Sequence, residues 1–144
     1  MDDRYNLSRF VAAQRGIFEQ ALAELQAGSK RSHWMWFLFP QIAGLGSSET
    51  AKEFAMSGIA EAAAYLIHPV LGPRLEAATD AMLAHAGNLS AEAILGGIDA
   101  LKFRSSMTLF ERAAKGDATR RFATALDAFY DGERDERTLT LLGL

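Results

Sequence analysis

The sequence contains no cysteine, which excludes disulfides, thiolate nucleophiles and cysteine-ligated zinc together. Any nucleophile must be oxygen or nitrogen. Long apolar runs are missing too: Trp34 to Phe39, among the longest, falls far short of the roughly 18 residues that a membrane-spanning helix needs. The opening Met1-Asp2-Asp3-Arg4 carries no secretory-leader pattern, so a cytoplasmic protein with no membrane partner is expected. There is no basic excess. A net charge of -3 disfavours a grip on a nucleic-acid backbone, which usually needs a basic face, and leaves room only for local basic pockets. No stretch alternates with period two for long enough to build a sheet, and no linker, repeat or low-complexity segment divides the chain. The histidines His33, His68 and His85 lack metal-ligand spacing, so neither a metal nor a cofactor is implied.

What remains is the composition of one folded unit. At 144 residues, 49% apolar and 23% charged, the chain can bury about 70% of the surface its unfolded form exposes. The expected architecture is all-α, a single compact multi-helix domain over residues 1–144. Leu7, Phe10, Val11, Phe18, Ala21, Leu22 and Leu25 recur at three and four, which predicts one long amphipathic helix capped by Asn6 and ended by Gly28. Its stripe takes in Gln14, whose amide needs hydrogen-bond partners if buried. Trp34 to Phe39 reads as a short buried helix, with Trp34, Trp36 and Phe39 in the core. Ser48 is placed to start a helix to about Met56, and the alanine-rich stretch Ile59 to Ile67 follows it. His68-Pro69 breaks the pattern, and Gly72-Pro73 reads as a second corner before a helix reaching about His85. Ser90 caps a short helix that Gly96-Gly97 interrupts. A longer helix then runs to about Ala114, a last long one ends at Asp131-Gly132, and the tail docks a final turn through Leu139, Leu141 and Leu142.

Two stretches are chemically dense. Lys30 to Ser48 holds two cations, His33, two tryptophans, two more aromatics and Gln41. Buried indoles need partners for their N–H groups, so Trp34 and Trp36 beside histidine and glutamine suggest an aromatic wall meeting a polar floor. The plainer reading makes the aromatics core and the cations a solvated corner. His33 is of a type suited to general acid–base work near neutral pH, or to capping a turn; His68 and His85 read as local caps or surface. In the second stretch Asp99, Lys102, Phe103, Ser106 and Phe110 share a helix face by steps of three and four. That face supplies charge from Lys102 and hydroxyls from Ser105 or Ser106, or else it is an Asp99–Lys102 surface pair with serines bonded back to the helix. No G-x-S-x-G elbow or Ser–His–Asp arrangement supports a serine nucleophile.

The motifs Leu7-x-x-Phe10-Val11-x-Ala13-Gln14, Lys30-x-Ser32-His33-Trp34-Met35-Trp36-Phe37-x-Phe39-Pro40-Gln41 with Gly44-Leu45-Gly46-x-Ser48, Tyr65-Leu66-x-His68-Pro69-Val70-Leu71-Gly72-x-Arg74-Leu75 and Lys102-Phe103-Arg104-Ser105-Ser106-Met107-Thr108-Leu109-Phe110 together resemble a bacterial family of unknown function. Its members are often labelled calpastatin. A true calpastatin is disordered, whereas this chain has the apolar content of a folded domain, so composition rejects that label. The resemblance implies a small, mainly helical protein and supplies no reaction or catalytic residue.

The residues themselves favour a small-molecule-binding domain for a planar anionic metabolite, a nucleotide or an ADP-ribose-like compound. Its candidate binding residues are Lys30, Ser32, Trp34, Trp36, Gln41, Ser48, Lys102, Ser105 and Ser106. The alternatives are an enzyme acting on such a ligand through His33, and a structural or protein-interaction module. The favoured reading requires the two dense stretches to meet in space.

Overall fold

Glycines, a proline and side-chain caps divide the chain into ten helices among the described residues, 3–144 of a computed structural model. Met1 and Asp2, where a secretory leader would begin, lie outside the described residues. The one stripe expected from Leu7 to Leu25 is split into α1 (Ser8–Gln14) and α2 (Phe18–Ala27). Arg15 turns extended and Gly16 takes a left-handed φ of 75°, a conformation glycine adopts without the Cβ penalty. The break redirects the stripe, so that α1 packs on α3 while α2 packs on α6. Asn6 is not the cap. It lies at φ 52°, and the Asp3 carboxylate instead accepts from the Leu7 and Ser8 amides at 2.7 and 3.2 Å. Gly28 does end α2, left-handed at φ 75°.

Trp34 to Phe39 holds the short helix α3 (Met35–Leu38), with Trp34, Met35, Leu38 and Phe39 buried and Trp36 only partly so. The Ser48 hydroxyl accepts from the Ala51 amide at 3.1 Å and opens α4 (Glu49–Glu53). This helix stops short of Met56 because that backbone is used otherwise. The Met56 amide donates to Gln41 O and its carbonyl accepts from Ala43 N, both at 2.8 Å, making the parallel bridge Ile42–Met56.

The corner between α5 (Ile59–Ile67) and α6 (Leu71–Leu83) is single. His68 Nδ1 accepts from the Val70 and Leu71 amides, and Pro73 then falls inside the first turn of α6, where its missing N–H is one that no helix satisfies. Gly72 is required by packing: a Cβ there would collide with the Leu66 carbonyl. His85 does more than cap locally, since its Nε2 lies 2.8 Å from Leu25 O and joins the ends of α6 and α2.

Ser90 caps α7 (Ala91–Leu95), and Gly96 at φ 90° separates it from α8 (Gly97–Ala113). After α9 (Ala118–Tyr130), Asp131 and Gly132 stop the chain in left-handed conformations. The Asp135 carboxylate then caps α10 (Glu136–Leu141). That last helix docks differently from expectation: Thr138 is its buried residue, Leu142 packs on the core, and Leu141 stays 45% exposed against Gly44.

Helix α8 is the central element, in contact with α5, α7, α9 and α10. Its Phe110 joins one aromatic string, Phe10–Tyr65–Phe110–Phe122, with centroids 5.2 to 5.9 Å apart. Its Phe103 joins another, meeting Phe39 edge-on at 4.8 Å. Rings at such spacings add about 0.5–1.5 kcal/mol per pair beyond their burial. The Phe39–Phe103 contact fixes the tryptophan-bearing segment against the first half of α8.

Candidate functional site

The buried carboxylate of Glu24 organises the start of that segment. It accepts from the Arg31 amide at 2.8 Å, the Ser32 amide at 3.1 Å, the Ser32 hydroxyl at 2.7 Å, Trp34 Nε1 at 2.9 Å and Gln20 Nε2 at 3.1 Å. Burial alone would raise its pKa, but these donors outweigh it and hold the value at about 2. Glu24 escaped the reading of the sequence. Its signal was a carboxylate beside Leu25 and three residues after Ala21, on the same apolar stripe that drew attention to Gln14. Gln14 is buried as expected, donating to Phe37 O and to the Tyr65 hydroxyl and accepting from Arg74.

Beyond this corner the two dense stretches meet. Lys30 Nζ lies 2.9 Å from Asp99 Oδ2, and Lys102 Nζ lies 3.3 Å from Asp99 Oδ1. The Lys102 ammonium stands 4.2 Å from the ring centroid of Trp36, and that of Lys30 stands 5.1 Å from Trp34. One carboxylate between two lysines leaves net positive charge at the junction, and Lys102 rests on the ring of the partly exposed Trp36.

Two concavities open here. The first, about 610 Å³, runs from Trp36 and Gln41 across to Ser105, Asp135 and Arg137. Its charged lining is Lys52, Lys102, Arg104 and Arg137 against the single acid Asp135, a positive surface on a chain whose net charge is negative. The second, about 410 Å³, is lined by Lys30, His33 and Met35 on one side and by Leu95 to Asp99 on the other. Both include Trp36, Ile98 and Lys102.

The candidates thus fall into three groups. Trp36, Gln41, Lys102 and Ser105 line the first concavity, and Lys30 and His33 join Trp36 and Lys102 around the second. Ser32 and Trp34 turn inward to Glu24, Ser48 caps α4 outside both concavities, and Ser106 is fully buried with no partner for its hydroxyl among the described residues. The Ser105 hydroxyl lies 2.9 Å from Asp135 Oδ2 and 3.2 Å from Leu101 O, its single hydrogen shared between them, so it helps to orient that acid. His33 is exposed and makes no hydrogen bond among the described residues. Arg104, Asp135 and Arg137 were not anticipated as site residues. Asp135 and Arg137 arrive with the fold of α10 over the first concavity, which no local pattern announces.

A family model described as "Protein of unknown function (DUF1810)" matches residues 4–142. Among solved structures, the chain is similar to the conserved hypothetical protein Rv1873 from Mycobacterium tuberculosis, with 46% identity, a TM-score of 0.93, and 99% of each chain covered. No curated protein matches the chain.

Proposed function

This chain belongs to the DUF1810 family of proteins of unknown function, and we propose that it binds a small planar anionic metabolite, a nucleotide or an ADP-ribose-like compound, in the first concavity. The observation that carries this reading is the partly exposed Trp36 in the wall of a pocket whose lining also holds four cations and one acid. An indole supplies a stacking surface for a flat ring, and lysine and arginine supply the charge-assisted hydrogen bonds that hold phosphate oxygens. Gln41 offers an amide for the edge of a base. The pocket's size falls within the range usual for small-molecule sites.

A thermal-shift series with AMP, ADP, ATP, ADP-ribose and sugar phosphates tests the proposal. A ligand at a hundred times its Kd adds about 2.7 kcal/mol, which for a chain of this size raises Tm by roughly 5–10 °C. Lys102→Ala should abolish the shift. Binding by Lys102→Ala as tight as by the wild type, or no shift with any of these compounds, would sink the reading and leave a structural or protein-interaction role.

A second reading makes the protein an enzyme on the same ligand, with His33 as general acid–base. It is favoured by a solvent-facing imidazole, free of hydrogen bonds among the described residues, in the concavity next to the stacking wall. Product analysis after incubation with each bound nucleotide tests it. Turnover by the wild type that disappears in His33→Ala while binding persists would support catalysis.

A further inference from the structure

We infer that the ligand has two parts, a nucleoside diphosphate extended by a neutral, hydroxyl-rich group, and lies across Lys102 with one part in each concavity. This rests on reading the first concavity as a nucleotide site. The starting observation is that the two hollows have common walls in Trp36, Ile98 and Lys102. The divide between them includes a lysine side chain, its ammonium 4.2 Å from the Trp36 ring and 3.3 Å from Asp99. A lysine stem has four rotatable carbons, and among the described residues its head is held by the Asp99 and Trp36 contacts alone. When Lys102 swings off the ring, it uncovers the indole face it occupies and joins the hollows. The same motion leaves its charge at their junction, where an anionic link between two moieties would pass.

The chemistry of the second hollow specifies the group beyond the link. Asp99 contributes its carboxylate and Lys30 its ammonium, 2.9 Å apart, with the His33 imidazole nearby. Each Asp99 oxygen takes one lysine and retains acceptor capacity for a further donor. Both lysines of this hollow are already paired with Asp99, so a third phosphate would have to compete with that carboxylate for them. Hydroxyl groups would instead donate to Asp99, so the lining selects a polyol such as a sugar over another anion. The first hollow, with Lys52, Arg104 and Arg137, keeps the base and the charged portion.

The experiment is isothermal titration of the full chain with ADP and with ADP-ribose, in the wild type and in two variants that fill the second hollow. Gly97 lines that hollow, has no left-handed φ, and a Cβ added to it meets nothing within 4 Å, so Gly97→Leu fits the fold. Gly97→Phe fills the same space with a bulkier side chain. The wild type should bind ADP-ribose at least about tenfold more tightly than ADP. Both variants should erase that advantage while keeping the ADP affinity to within about twofold. Equal binding of ADP and ADP-ribose by the wild type overturns the inference alone, as does an ADP-ribose advantage that survives both variants. Failure of ADP and ADP-ribose alike to bind the wild type removes the nucleotide reading and the inference with it.

Discussion

Trp34 and Trp36 are two residues apart, yet they belong to opposite regimes. Around Trp34 the donors converge on one acceptor: its indole N–H, two backbone amides and the Ser32 hydroxyl all end on Glu24, and the ring is fully buried. Around Trp36 the ring is partly exposed, a lysine rests on it, and the neighbouring cations outnumber the acids. Both regions looked equally rich in chemistry as sequence. Richness in polar and aromatic residues therefore does not by itself distinguish a closed internal network from a partly exposed ring set among cations.

The largest effect is expected at Trp34. Trp34→Ala should destabilise the fold by about 3–5 kcal/mol, since it empties an aromatic core position and strips Glu24 of a donor. Urea unfolding would measure it, and a loss under about 1 kcal/mol would place Trp34 with the surface residues.

Glu24→Gln comes next, at about 1.5–3 kcal/mol near neutral pH, because the buried donors then meet a neutral amide. Its pH dependence has a definite sign. The folded pKa of about 2 lies below the ordinary 4.5, so the charged form stabilises the fold in full above about pH 5. That contribution is lost as pH falls from there towards 2. The stability gap between wild type and variant should therefore narrow on acidification. A gap that stays constant from about pH 7 to about pH 2.5 would mean that Glu24 is not held ionised by its partners.

Trp36→Ala should have the smallest effect on stability, about 1–2 kcal/mol, because part of its ring already meets water. On the proposed nucleotide reading, the same change should also abolish the thermal shift by ADP. The two indoles also separate by fluorescence: in Trp34→Phe the remaining emission should be readily quenched by acrylamide, and in Trp36→Phe it should be shielded. Equal quenching would erase the distinction between the two regions.

Much of the fold was legible where a local residue decides an outcome. Gly28, Ser48, Ser90 and the Asp131-Gly132 pair stop or start helices by their own conformation or side chain, and Gln14 announced its need for partners by sitting in an apolar stripe. The break at Gly16 was not legible, because the apolar spacing runs on across it and only the separate docking of α1 and α2 demands a turn. The early end of α4 depends likewise on a bridge to Ile42. The meeting of the Lys30 to Ser48 stretch with α8 was foreseen from polar groups on otherwise apolar faces, although Ser48 itself lies outside both concavities. The shared use of Asp99 by Lys30 and Lys102 was not, since it depends on where the turn after α2 points.

The edge-on contact of Phe39 with Phe103 has a bearing on how the molecule comes into being. Two distant points on the chain must be brought together before this pair can form, and closing so wide a loop has an entropic cost that local helix formation never meets. The walls of both concavities come from the two sides of that closure, with Asp135 and Arg137 still to join them. During synthesis the helices before α8 can form while neither concavity yet exists. The first concavity is therefore completed only when the segment carrying α10 has docked, and a product cut before Asp135 would keep most of its helices while lacking Asp135 and Arg137 from that lining.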